Sequence, residues 1–272
     1  KRIPVYVQYA VTKKCNLSCN ICNSNLSRDK EIDLTLPELK RLAVVLKKIQ
    51  VPILVLTGGE PFIRKDIIEI AKIFKTSGLE VRFQTNGFLL TPELIIELHK
   101  LGTNGITISL DSLNPEIQDR LTNFRNSHGK IFKALSLISQ YSSKTKNICA
   151  INTVVSKLNI EELPDLAKFA TGMGLFISFI PLHSTGGQSH FIIRKNNAEL
   201  EFSEKDFCVI DKVYAELITM KKKGYLIYNS SRFLGETPDY LKYKKIHWKC
   251  DSPYLYFAIS PSGNFLPCVD LS

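Results

Sequence analysis

Apolar and polar positions alternate along the chain with two different periods. Short apolar or period-two runs predict buried strands at VYVQYAV (5–11), ILVLT (53–57), VRFQT (81–85), ITISL (106–110), ICAINTVV (148–155) and LFISFIP (175–181). Between them the apolar positions recur at helical spacing, predicting helices over 35–49, 65–76, 92–100, near 129–140 and 160–171. In the first of these, Thr35 stands at the N-cap and Glu38 at the capping-box position, with Leu39, Leu42, Val45, Leu46 and Ile49 on one stripe. Six strands alternating with helices, joined by short connections and ending in glycines, predict a parallel α/β sheet or barrel. Six units are short of a full eight-stranded barrel.

After Pro181 this rhythm breaks. LHSTGGQSHF reads as a loop, 203–224 as one long helix, and YLYFAISPSGNFLPC (254–268) as a hairpin turning at Pro261–Asn264. The expected division is therefore 1–181 for the α/β unit and 182–272 for a small appended α+β domain.

Composition adds a few limits. The 272 residues are 44% hydrophobic and 23% charged, enough for a sizeable core. The formal charge of +10 is scattered over helix faces, with short clusters at Lys221–Lys223 and Lys242–Lys245. It reads as a solvated lysine-rich surface, and nothing resembles a nucleic-acid module. No run approaches the roughly 20 apolar residues of a membrane span, and no signal-peptide pattern opens the chain, so no membrane partner is expected. A start at Lys1 and a stop after PCVDLS suggest a piece of a longer protein. Seven cysteines, three of them tightly spaced, do not form an even disulfide framework; they point to metal chemistry in a reducing, cytoplasmic setting.

Those three are Cys15, Cys19 and Cys22, in a C-x3-C-x2-C run after the first strand. A zinc site would need a fourth ligand nearby, and the closest histidine in sequence is His99, on a predicted helix. An iron–sulfur cluster held by three thiolates leaves one iron open to an outside ligand. LTGGEPF (56–62) ends the second strand with two glycines, which permit close backbone approach, and with Glu60, which can accept from an ammonium group. FQTNGF (83–88) and SLDS (109–112) end the third and fourth strands with small polar side chains. Such sheets bind ligands at the carboxyl ends of their strands.

Together, the cysteine run and GGEP closely resemble the radical S-adenosylmethionine enzymes, in the same order of elements from residue 5 to about 181. The resemblance implies a partial (β/α)6 barrel. It also implies that Cys15, Cys19 and Cys22 hold three irons of a [4Fe–4S] cluster, with S-adenosylmethionine on the fourth. Reductive cleavage of that cosubstrate would give a 5′-deoxyadenosyl radical that abstracts a substrate hydrogen. Gly58, Gly59 and Glu60 would bind the methionyl amino group, and Ser109 the ribose or carboxylate. Thr85, Asn86 and Asn152 would line the same face. Arg120 and Arg125 both qualify as the basic partner of the carboxylate. Ile21 departs from the aromatic residue more usual there.

The tail has a C-x12-G-x4-C pattern from Cys250 through Gly263 to Cys268. It resembles the start of the SPASM or twitch extensions, which implies an auxiliary [4Fe–4S] cluster whose further ligands lie elsewhere. Cys149 is expected to point under a helix if Asn152 points inward. Cys208 reads first as packing beside Phe207, Ile210, Tyr214 and Leu217, and otherwise as an extra ligand or hydrogen-atom donor. The five histidines form no spaced cluster. The resemblance implies a peptide or small-molecule substrate and a flavodoxin- or ferredoxin-type electron donor. Residues 151–174 also look like the molybdenum-cofactor cyclase branch, and a non-catalytic iron–sulfur or zinc module is a further alternative.

Overall fold

The computed structural model describes residues 3–22, 32–103, 105–142, 148–182, 198–245, 247 and 250–268. The predicted alternation is present. Strands β1 (Tyr6–Ala10), β2 (Ile53–Thr57), β3 (Glu80–Thr85), β4 (Gly105–Ser109), β5 (Ala150–Val155) and β6 (Phe176–Pro181) lie side by side in chain order. Every neighbouring pair among them is parallel. Helices α1 (Leu36–Lys48), α2 (Ile67–Thr76), α3 (Pro92–Lys100), α4 (Pro115–Thr122), α5 (Ser127–Ser142) and α6 (Leu163–Gly172) fill the crossovers. Strands that step one way across a sheet through right-handed crossovers put all their helices on one face.

Burial along the strands follows from this. Val7, Tyr9, Leu54, Leu56, Val81, Phe83, Ile108, Ile151, Val155, Ile177 and Phe179 are fully buried on the helix-covered face. Gln8, Thr57, Gln84, Thr107, Ser109, Asn152 and Ser178 alternate with them, half-buried on the other face. Cys149 packs in the main core as the alternation predicts. Thr35 caps α1, its backbone N–H donating to Glu38 Oε2 at 2.8 Å.

Two helices escape the sequence reading. Helix α4 is short, but Asn114 caps it by accepting from Glu116 N at 2.9 Å, with Pro115 at its first position. Helix α8 (Ser231–Tyr243) carries Pro238 in its interior, which masks its periodicity. Its cap, Ser230, accepts from Phe233 N at 3.1 Å. Helix α7 (Phe207–Lys222) is the expected long helix, entered through a short 3-10 turn at Glu204–Asp206. Cys208 corrects the packing expectation: it is exposed on α7, whereas Ile210, Tyr214 and Leu217 are buried. The expected loop after Pro181 lies largely outside the described residues.

The C-terminal elements join the same sheet. Strand β7 (Tyr256–Ile259) pairs parallel with β1, and β8 (Phe265–Leu266) folds back antiparallel across the predicted hairpin. At the other edge, Ile227 bridges to Ile177 of β6. The lysine clusters are partly used internally, Lys242 pairing with Asp211 at 2.7 Å and Lys221 donating to the Ile227 carbonyl at 2.6 Å. No helix among the described residues is long and apolar enough to cross a membrane.

What positions the cysteine loop is a continuation of the β1–β2 pairing. Gly59 N donates to Thr12 O and Glu60 N to Lys14 O, both at 2.8 Å. A Cβ on Gly59 would stand 2.2 Å from the Lys14 carbonyl oxygen and 2.6 Å from that of Lys13. Gly58 is as tight, with 2.3 Å to the Thr12 oxygen, and has φ of +138°. These glycines therefore let two backbones touch. Gly59→Ala should cost about 1–3 kcal/mol of stability by overpacking against rigid backbone. Gly172→Ala, at a helix end with open space around it, should stay within about 1 kcal/mol of wild type. Thermal unfolding of the two variants side by side checks this.

Candidate active site

The cysteine loop runs from the end of β1 over the carboxyl ends of the strands and is held at several points. Asn20 donates through its backbone N–H to Leu121 O at 2.8 Å and through Nδ2 to Arg120 O at 2.7 Å. Asn123 reaches Ser18 Oγ at 3.2 Å. Ile21 packs against the small apolar cluster of Leu121, Leu182 and Leu200, which accounts for an aliphatic side chain there. Arg64, not foreseen from the sequence, donates to the carbonyls of Val11 and Leu34, each at 3.1 Å. It thus fastens the chain on both sides of the loop, and its own charge is met by Asp66 at 2.7 Å.

No disulfide involves any of the seven cysteines. Burial pushes the Cys15 and Cys19 thiols up, and mutual repulsion between Cys15, Cys19 and Cys22 adds to the rise. Three cysteines sharing one short loop, with no fourth protein ligand beside them among the described residues, are the donor set of a cluster that leaves one iron open. Among the described residues no three such side chains stand at metal-binding distance from one another. The residues present fit a [4Fe–4S] cluster by donor type and by their sharing one docked loop.

Beside this loop lies a fully buried carboxylate. Glu60 Oε1 accepts from Thr85 Oγ1 at 2.7 Å and from Phe62 N at 3.1 Å; Oε2 accepts from Asn86 N at 2.9 Å. Burial pushes its carboxyl up, and these three donors offset only part of that rise. A carboxylate has about four acceptor positions, so one on Oε2 remains. Asn86 continues the chain of contacts, its Nδ2 standing 2.7 Å from Asn16 Oδ1 and 3.8 Å from Cys15 Sγ.

The other expected site residues are spread along the strand ends. Ser109 and Asn152 are register partners on β4 and β5. Arg120 forms an exposed ion pair with Glu199, whereas Arg125 is exposed and has no ion-pair partner among the described residues. Cys250 is exposed and Cys268 half-buried. Ser252 Oγ bonds the Pro267 carbonyl, bringing together the chain next to these two cysteines at one end of the hairpin.

Asp111 is a further residue the sequence left unmarked. It is buried beyond β4, accepts from Val154 N at 2.8 Å, and burial raises its carboxyl to about 7. Asn159 closes the region, donating to the Asp111 and Val154 carbonyls at 2.7 and 2.8 Å. Between its unfolded value of 3.8 and about 7, Asp111 holds a proton when folded that the unfolded chain has released. Its contribution to stability is therefore full at low pH and is lost as pH rises through about 7. Asp111→Asn keeps the acceptor and cannot ionise, so stability should gain on wild type between about pH 5 and about pH 8. Denaturant melts at both pH values measure this.

Comparison with known proteins places these features in context. The Radical SAM superfamily pattern matches residues 9–170. The AdoMet-dependent heme synthase of Methanosarcina barkeri is 36% identical over 172 residues, 63% of this chain and 48% of that protein. The probable GTP 3′,8-cyclase of Methanocaldococcus jannaschii is 30% identical over 227 residues, 81% of this chain and 72% of that protein. The PqqA peptide cyclase of Bradyrhizobium diazoefficiens is 27% identical over 273 residues, 98% of this chain and 67% of that protein. The chain thus spans about half the length of the first of these relatives. In fold, Streptococcus suis SuiB bound to its precursor peptide SuiA superposes with a TM-score of 0.73 at 18% identity, covering 99% of this chain and 60% of that one. The cysteine run, the docked glycine pair and the matched sequence pattern agree: this chain belongs to the radical SAM superfamily, whose members use a [4Fe–4S] cluster and S-adenosylmethionine.

Proposed function

We propose that this chain is the catalytic portion of a radical S-adenosylmethionine enzyme that modifies a peptide. The observation that carries the reading is the three-thiol loop docked by Gly58 and Gly59 onto the strand ends, beside Glu60, Thr85 and Asn86. Cys15, Cys19 and Cys22 hold the cluster. When bound, the cluster supplies the electron that cleaves the cosubstrate, and the organic radical so formed removes a hydrogen atom from the substrate. The remaining acceptor position on Glu60, with Gly58 and Gly59, takes the methionyl amino group. Ser109, Asn152 and either Arg120 or Arg125 receive the ribose and carboxylate. Arg125 needs no exchange of partner to do so, and Arg120 must leave Glu199.

The sheet face free of helices supports the peptide over a nucleotide. Apart from the Glu80–Arg82 pair its described side chains are neutral: apolar groups such as Ile53, Val55, Val154, Phe176 and Ile180, together with the hydrogen-bonding Gln8, Gln84, Thr107, Asn152 and Ser178. Tyr256 from β7 joins them, donating to Gln8 Oε1 at 2.7 Å. The Arg82 charge on β3 is already met by Glu80 at 2.6 Å. Amides and hydroxyls match a peptide backbone, whereas a nucleoside triphosphate needs unpaired cations. The kinship with GTP cyclases makes the nucleotide the second reading.

In the same proposal, 182–272 is an auxiliary-cluster extension, with Cys250 and Cys268 as two ligands and the rest supplied from elsewhere. A flavodoxin- or ferredoxin-type protein donates the electron.

Anaerobically reconstituted full-length protein with dithionite should form 5′-deoxyadenosine from S-adenosylmethionine, and Cys19→Ala should abolish it, because two thiolates cannot hold the site. Cleavage at wild-type rate in that variant would overturn the assignment. Added GTP should leave the rate and the nucleotide unchanged; a modified nucleotide would move the reading to the cyclases. Replacing Cys250 and Cys268 by Ala in the full-length protein should remove about one cluster's worth of iron and sulfide, yet leave cosubstrate cleavage. Unchanged iron would show these cysteines to be ordinary.

A further inference from the structure

We propose that Asn86 tunes the reduction potential of the cluster by donating a side-chain N–H to the Cys15 thiolate, and that Glu60 is the positioning residue that holds it there. The inference rests on the reading that Cys15 is a cluster ligand. It adds a role to Asn86 beyond lining the cosubstrate face.

The orientation of the carboxamide is fixed by three contacts. Asn86 Oδ1 accepts from Phe88 N at 3.0 Å, so the oxygen end is occupied. Asn86 N donates to Glu60 Oε2 at 2.9 Å, which anchors the backbone to a buried carboxylate. Nδ2 is left facing the cysteine loop, 2.7 Å from Asn16 Oδ1 and 3.8 Å from Cys15 Sγ. A flipped amide would set oxygen against the Asn16 oxygen and NH2 against the Phe88 N–H, two mismatches at once. The NH2 group has two hydrogens, one for each neighbour. Leu17 N, 3.4 Å from the same sulfur, is a second donor.

The sequence shows how this geometry arises. Thr85 ends β3 with its hydroxyl on Glu60 and accepts from Gly87 N at 3.0 Å, which folds the strand end back. Gly87 takes φ of +83° in that turn, and a Cβ there would meet Ala134 at 2.9 Å. Thr85, Asn86 and Gly87 thus form one turn that aims the Asn86 amide at the loop.

The consequence is electrostatic. Reduction adds a negative charge that spreads onto the cysteine sulfurs. An N–H aimed at a sulfur stabilises the reduced state more than the oxidised one and raises the potential. Removing this donor leaves the ligands in place but makes reduction harder.

The test is a redox titration, followed by EPR without cosubstrate, of reconstituted full-length wild type, Asn86→Ala and Asn86→Asp. Asn86→Ala should make reduction about tenfold less favourable, a potential lower by about 59 mV for one electron. Asn86→Asp keeps the shape and the acceptor for Phe88 N but turns a carboxylate oxygen toward the sulfur, so its potential should fall further. Glu60→Gln removes a buried negative charge that acts on Cys15 and so raises the potential by itself; its positioning role is read instead from the asparagine side-chain 15N coupling below, which should weaken in that variant. If Asn86 only braces the loop, the variants lose iron while the clusters that form keep the wild-type potential, and the proposal is overturned. A reading free of variants comes from wild type carrying side-chain 15N-labelled asparagine. Pulsed EPR of its reduced cluster should show a 15N coupling that Asn86→Ala removes, and its absence in wild type overturns the proposal. A wild-type protein that binds no cluster overturns the family-based reading as well. A wild-type cluster whose potential ignores Asn86 overturns this proposal alone.

Discussion

The site depends on how the ends of β1, β2 and β3 are tied together, and the buried carboxylate of Glu60 makes that tie. Taking a carboxylate out of water is costly unless its oxygens find donors, and three donors meet it from two strand ends. Its backbone N–H, in turn, holds Lys14 of the cysteine loop. One residue therefore joins the second strand to the third and both to the loop with the three thiols. The two glycines before it serve the same end, since any side chain on them would enter the Thr12–Lys14 backbone. The GGEP signature can then be understood as a docking device for the protein's own chain.

Arg64 plays a matching part on the far side of the loop. A loop that leaves β1 at Val11 and returns at Leu34 needs its two ends fixed if its thiols are to be held in register. A single guanidinium bonds both carbonyls, its planar fork reaching two acceptors while Asp66 neutralises it. The turn of the C-terminal hairpin adds a third hold, Pro261 accepting from Leu34 N at 3.0 Å. The extension is thereby coupled to the cysteine loop by backbone as well as by the β1–β7 ladder. A change at the tail can reach the thiols through one residue.

Much of this was legible in the sequence, for identifiable reasons. The six strands announce themselves because a sheet covered on one face imposes period-two burial, and each predicted strand lies within about two residues of its observed ends. The cysteine spacing and GGEP were readable because both are local. What was not readable depends on distant partners. Helix α4 rests on an Asn114 cap and a Pro115 start visible in LNPE, but it is only eight residues long and its apolar stripe is thin. Helix α8 is broken as a pattern by Pro238. That β7 adds to β1, 248 residues away for the Gln8–Tyr256 bond, is a matter of tertiary pairing that no local pattern encodes. Cys208 went the other way: its neighbours' stripe suggested burial, yet the helix turns it outward.

The two faces of the sheet carry different physics, and this bears on substrate choice. On the helix side, every second residue is excluded from water and, apart from Thr85 and Thr153, apolar, so the strands are firmly seated. On the other side, amides and hydroxyls stand half-exposed and bond one another across strands, as Gln8 does with Gln84 at 3.4 Å and with Tyr256. Neutral groups of this kind cost little to desolvate and can exchange partners with an incoming amide. A fixed cation, by contrast, holds its counter-ion, as Arg82 holds Glu80. A face built this way offers shape and hydrogen-bond pattern rather than charge. In the proposed reading the organic radical forms at these strand ends and must be shielded from water while it meets a C–H bond. In that reading a peptide backbone lies over a floor of apolar side chains and neutral amides, and the pocket can close dry around the reacting carbon.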